Sequence, residues 1–124
     1  MKIRTGVDII EIERIKQSIE ETEGRLCERV YTQKEVEYCE SKNAQKYQHY
    51  AARFAGKEAI YKALSNILDE STSISWNKLE ILKDKSGSPF VNLIEFNNSE
   101  IQSVDISMSH CKEYAVANVV ILLK

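Results

Sequence analysis

The stretch Phe54–Leu64, FAGKEAIYKAL, decides how this chain folds. It contains no proline and is rich in alanine, so it predicts a helix. The surrounding sequence extends that helix over roughly residues 45 to 67. With Phe54 at zero and about 100° per residue, Glu58 falls near 40° and Lys62 near 80°. Ala51 and Tyr61 share that arc, at about 60° and 340°. Ala52, Gly56, Ala59 and Ala63, with Ile60 and Ile67, fill the opposite side. A helix apolar on both sides is enclosed by protein, and its small residues admit a second element at close range. Glu58 and Lys62 are therefore charges where burial is expected. A Glu four residues before a Lys is by itself an ordinary helix pair worth about 0.2–0.5 kcal/mol. Arg53 and Lys57 add two positive charges within two turns. Concentrated positive charge beside a carboxylate suits a phosphate-and-metal site.

Working outward, residues 3 to 9 alternate, with Ile3, Thr5, Val7 and Ile9 on one face and Arg4, Gly6 and Asp8 on the other. That is the period of a half-buried strand. Ile12, Ile15 and Ile19 then recur at helical spacing. Asp8 sits near the junction, where a helix N-cap is the default role of an aspartate. Gly24 ends or interrupts the helix. Thr32 and Glu35 form a capping-box signature before a short helix over about residues 33 to 42. After the long helix the pattern becomes β. SWNKLEILKDKSGSPFVNL (75–93) reads as strand, turn and strand, and NNSE (97–100) as the start of one more helical turn. Residues 104 to 109 alternate, HCKE (110–113) forms a hairpin link, and the apolar YAVANVVILL (114–123) predicts a central strand.

The order of one strand, helices and then a run of strands predicts a single compact α+β domain over residues 1–124, a long buried helix packed on an antiparallel sheet. The 124 residues suit one core. Lys and Arg number 17 and Asp and Glu 19, for a net charge of −2. Such a chain has no global charge with which to coat nucleic acid or an anionic membrane. No apolar run reaches the roughly 20 residues of a spanning helix, and the N-terminus lacks a secretory signal pattern. Cys27, Cys39 and Cys111 include no C-x-x-C and read as reduced thiols of a cytoplasmic protein.

Two stretches taken together carry a family resemblance. GVDIIEIERI (6–15) resembles the N-terminal signature of the holo-acyl-carrier-protein synthases, the small 4′-phosphopantetheinyl transferases. RFAGKEAIYKAL (53–64) resembles their second signature, F-A-x-K-E-A-x-x-K-A. ISMSHCKEYAVANVVI (106–121) is similar to their C-terminal strand, Ser-His turn and strand. The resemblance spans the chain in order. It implies transfer of the 4′-phosphopantetheine arm of coenzyme A to a serine of an acyl carrier protein, releasing adenosine 3′,5′-bisphosphate. It also implies a homotrimer with active sites between subunits. By this resemblance Asp8 and Glu58 hold Mg²⁺, and Lys62 reaches the diphosphate and steadies the departing bisphosphate. Arg53 and His110 meet the nucleotide end of coenzyme A, and Arg14 meets the carrier. The serine proton goes to Asp8, Glu58 or a metal-bound water. Two features depart from the family. SNILDES replaces the usual Gly-x-Gly turn after the long helix. Glu20, Glu21 and Glu23 on the first helix oppose an acidic carrier. The same motif residues would also serve a metal-dependent hydrolase of coenzyme A or a related diphosphate, with water replacing serine. A non-catalytic trimeric module would keep the fold without needing Asp8, Glu58 or Lys62.

Overall fold

The computed structural model describes residues 1–65, 67–68, 73–96 and 98–124. Strand β1 (Lys2–Glu11) runs into α1 (Ile12–Glu21), followed by α2 (Arg25–Val30) and α3 (Gln33–Glu40). A 3₁₀ turn (Asn43–Gln45) leads into α4 (Lys46–Leu64), and a second 3₁₀ turn (Trp76–Lys78) leads into β2 (Leu79–Lys83). Then come β3 (Pro89–Leu93), β4 (Ile101–His110) and β5 (Tyr114–Leu123). One antiparallel sheet has the order β1-β5-β4, and a second pairs β2 with β3. The apolar C-terminal strand is thus central, as its composition predicts. The α+β architecture, with a long helix packed on an antiparallel sheet, is the one expected.

Helix α4 is the axis of the fold. Ala55, Gly56, Ala59, Ile60, Ala63 and Leu64 are all buried. Its C-terminal half packs on Val119, Ile121 and Ile106 of the main sheet and on Leu79 and Ile81 of β2. Its N-terminal half packs with Ile12, Ile15, Ile19, Val30 and Tyr31 from the preceding helices. Two cores therefore meet on one helix, so both of its sides must be apolar.

The alternation of β1 is correct, but the apolar side faces outward. Ile3, Val7 and Ile9 are 59%, 57% and 64% exposed, while Gly6 is buried. The reason is the close approach of β1 to α4. A Cβ on residue 6 would stand 1.9 Å from the Ala59 carbonyl oxygen. Only the glycine face can meet the helix at that range, so the period of two turns Ile3, Val7 and Ile9 away. Arg4, Gly6, Asp8 and Ile10 therefore face inward.

Other boundaries shift for local reasons. β1 continues through Glu11, which precedes α1 without a side-chain cap, so Asp8 is a strand residue and not an N-cap. Gly24 takes a positive φ of 84° and separates α1 from α2, a helix not distinguished in the sequence. The capping box at Thr32 and Glu35 is present. Helix α4 ends at Leu64, short of the expected residue 67. Around Asn98 the chain makes a turn, where its side chain accepts from the Glu100 amide, and not a helical turn. Asn97, Asn66 and residues 69–72, on which parts of those expectations fall, lie outside the described residues.

Candidate active site

The alternation that turns Gly6 toward α4 also turns Asp8 inward, two residues along the strand. Asp8 pairs in register with Ala117 of β5, which faces Met108 of β4. Glu58 lies on the part of α4 that this end of β1 crosses. The two carboxylates line one cavity of about 520 Å³ with Ile10, Arg14, Phe54 and Tyr114. Residues 50 apart in the chain are thus brought to one cavity.

The charge balance inside this cavity is uneven. Burial pushes the Glu58 carboxyl above its ordinary range, the Asp8 charge pushes it further, and Lys62 pulls it back. A second negative charge is therefore costly there until a cation or positive side chain arrives. Lys62 does not close an ion pair with Glu58. Its Nζ lies 3.2 Å from Asp8 Oδ1 and donates to the Val7 carbonyl at 3.0 Å. Lys62 thus spans from helix to strand, because β1 crosses α4 closely enough to outcompete the neighbouring turn. It borders a second depression with Thr5, Gly6, Val7 and Asn118.

Arg53 and Lys57 do not join this cluster. They leave α4 on another side and are 1% and 0% exposed. Lys57 pairs with Glu35 at 2.8 Å. Arg53 Nε donates to the Ile81 carbonyl at 3.2 Å, and its guanidinium lies 4.2 Å from the centre of the Tyr38 ring. Its Nη2 is buried without a hydrogen-bond partner among the described residues. Lys42 and Lys83 also approach Tyr38, at 4.8 and 5.6 Å. His49 joins this group, with its ring centre 5.7 Å from that of His110. Burial, then Arg53, His110, Lys42 and Lys83, hold His49 down at about 4. So Arg53 and His110 do belong to one electropositive cluster, around His49 and Tyr38, apart from the cavity that Asp8 and Glu58 line. Neither His49 nor Tyr38 is singled out by the sequence. Their signal is only their place among basic residues near the start of α4.

Among the described residues, no three His, Cys, Asp or Glu side chains gather to hold a metal on their own. Two carboxylates beside an open cavity still fit a hard divalent cation. Mg²⁺ usually takes one or two carboxylates and completes its shell with substrate phosphate and water.

The fold and this pair of carboxylates define a class. The family model of the 4′-phosphopantetheinyl transferase superfamily matches residues 4–119, and the chain belongs to that family. Within it, the chain is similar along nearly its full length to holo-[acyl-carrier-protein] synthases. The one from Ruminiclostridium cellulolyticum is 46% identical, covering 99% of this chain and 94% of that protein. The one from Chloroherpeton thalassium is 41% identical, covering 96% and 97%. Among solved structures, the Helicobacter pylori synthase in complex with coenzyme A superposes with a TM-score of 0.79 at 30% identity, covering 95% of this chain and 99% of that one.

Proposed function

We propose that the cavity between β1 and α4 transfers the 4′-phosphopantetheine arm of coenzyme A to a serine of an apo-acyl-carrier protein, in support of fatty acid biosynthesis. The observation that carries this reading is the convergence of Asp8 and Glu58 on one cavity that also reaches Arg14, in a chain matched end to end by holo-[acyl-carrier-protein] synthases. The serine oxygen attacks the phosphorus that bears the pantetheine arm. The bond from that phosphorus to the bridging oxygen breaks, and adenosine 3′,5′-bisphosphate leaves with the electron pair. The serine proton goes to Glu58 acting from an outer position or to a water relayed to Asp8, since a carboxylate that coordinates Mg²⁺ directly is a weak base. Lys62, with two of its three donors on Val7 and Asp8, offers the third to the leaving phosphate. Asp8 and Glu58 would hold Mg²⁺, which would offset charge on the diphosphate. Incubation with apo-carrier, coenzyme A and Mg²⁺, followed by intact mass, tests the transfer. Product analysis without carrier separates it from hydrolysis of coenzyme A.

Arg53 and His110 serve the nucleotide end, including its 3′-phosphate. The cations around His49 and Tyr38 support that role, because Arg53, Lys42 and Lys83 converge on the Tyr38 ring. Three free cysteines suit a reducing cytoplasm.

The outward face of β1 supports assembly into a homotrimer with active sites between subunits. Ile3, Val7 and Ile9 share the outward face of the sheet with Val120 of β5, which is 40% exposed and pairs with Thr5, while Asn118 stands opposite Val7. A face that exposes this many large apolar side chains marks an interface. Placing a charge at its centre, with Val7→Glu, is expected to yield monomers by sedimentation at concentrations where the parent chain is trimeric. A parent chain that sediments as a monomer would reject the assembly.

Arg14 lines the cavity from α1, one turn after β1 ends. Charge complementarity with an acidic carrier mainly sets the association rate. Arg14→Ala is therefore expected to raise the KM for carrier more than that for coenzyme A. Exchanging Glu20, Glu21 and Glu23 for glutamine should lower the carrier KM, with a smaller gain at high salt. Carrier KM values unmoved by both changes would remove α1 as the docking surface.

A further inference from the structure

Lys57 and Glu35 are fully buried charges with no part in the chemistry proposed above. Lys57 Nζ donates to Glu35 Oε1 at 2.8 Å, to the Trp76 carbonyl at 2.9 Å and to the Leu79 carbonyl at 2.8 Å. Those bonds use all three ammonium donors. Glu35 Oε1 also accepts from the Thr32 amide at 2.9 Å, and Oε2 from the Ile81 amide at 3.0 Å. One ion pair therefore ties α4 to α3, to the 3₁₀ turn at Trp76 and to β2. Arg53, one turn earlier on α4, adds its own bond to the Ile81 carbonyl.

A buried pair is a poor source of net stability. Apolar replacements of such pairs are often no less stable, because burying two charges costs about as much as their attraction returns. What such a pair can supply is a specified geometry. Helix α4 has a weaker source of one than most. An amphipathic helix is oriented by burying its single apolar face, but α4 is apolar on two sides, and six of its nine buried apolar residues are Ala or Gly. Small side chains make shallow ridges, so packing holds the rotation about the axis less firmly than a face of large side chains would. Glu58 follows Lys57 directly, about 100° around the helix. A rotation of about 20° would swing a group about 6 Å from the axis by about 2 Å. That exceeds the roughly 0.5 Å within which a reacting group must be held.

We propose that the Glu35–Lys57 pair is the positioning device of this site: its directional hydrogen bonds set the rotation of α4 and so aim Glu58 and Lys62 at Asp8. The inference rests on the reading of Asp8, Glu58 and Lys62 as the reacting groups. The test is the full-length double variant Glu35→Gln/Lys57→Met, in which the glutamine oxygen can still accept from one of the two amides while its amino group faces the other. At a temperature where it is fully folded, its kcat should fall at least about tenfold, since misplacement by about 1 Å can cost about 10²-fold. Its KM for carrier should stay within about threefold, because Arg14 lies on α1. Ile121→Ala, in the core beneath the sheet, serves as a destabilised control and should keep its kcat. Equal kcat losses in the two variants, or a wild-type kcat in the folded double variant, overturn the proposal. If the double variant does not fold, Glu35→Gln alone decides: a kcat loss of at least about fivefold with carrier KM unchanged supports it, and a wild-type kcat overturns it. Glu58→Gln in the same assay separates the two readings. Wild-type kcat there removes the site itself, whereas an inactive Glu58→Gln beside fully active pair variants removes only the positioning role.

Discussion

Glu58→Gln is expected to lower kcat at least about 10³-fold while the circular dichroism spectrum and the melting temperature stay near those of the parent chain. The side chain is only partly buried, and the described residues give it no hydrogen-bonded partner whose loss would unfold the chain. Glutamine keeps the volume but cannot take a proton, and it neutralises one of the two carboxylates in the cavity. Losing one preorganised charge or donor aimed at the reacting atoms typically costs about 10²–10³-fold, and where Glu58 is the base its loss adds to that. Asp8→Asn should have an effect of similar size for a different reason. It removes the charge opposite Lys62, leaving the ammonium with neutral acceptors only, and takes away one of the two carboxylates of the cavity. The decisive measurement is single-turnover transfer, read as intact mass of the carrier at saturating coenzyme A. A folded Glu58→Gln or Asp8→Asn protein within tenfold of the parent rate would show that the chemistry lies elsewhere.

Gly6→Ala should have the largest effect on stability of any single methyl in the chain. The added Cβ would meet the Ala59 carbonyl oxygen at 1.9 Å and the Ala63 nitrogen at 3.1 Å. Those are backbone atoms of a helix, so no side chain can swing aside. Strand and helix would have to part by about 1 Å, opening the core along β1. Overpacking of a well-filled site usually costs about 1–3 kcal/mol, and a backbone clash belongs at or above the top of that range. Separation would also draw Asp8 away from α4. Thermal melting should therefore show a fall of many degrees, and residual folded protein should show reduced kcat. A Gly6→Ala chain with parent stability would mean that β1 does not cross α4 in this way.

Much of the fold was readable from the chain because its signals are local. The alanine-rich run predicts α4, the Thr32–Glu35 spacing predicts the cap of α3, and the β-branched tail predicts the central strand. The motif residues Asp8, Glu58 and Lys62 were also legible, through their resemblance to a family whose spacing they keep. Three things were not. Alternation in β1 reports that two faces differ, but not which is buried. The choice went to the glycine face, since only a residue without a Cβ fits against the Ala59 carbonyl. The partners of the charges were equally hidden. Sequence spacing pairs Lys62 with Glu58, yet Asp8 from a distant strand lies within reach. Lys57 looks like part of a cationic site until Glu35, Trp76 and Leu79 enclose it. Which segments are helix or strand follows from preferences that act over a few residues, and those are written in the chain. Which face is buried and which charges meet depends on how closely backbones far apart in the chain can approach, and that is settled only when they pack.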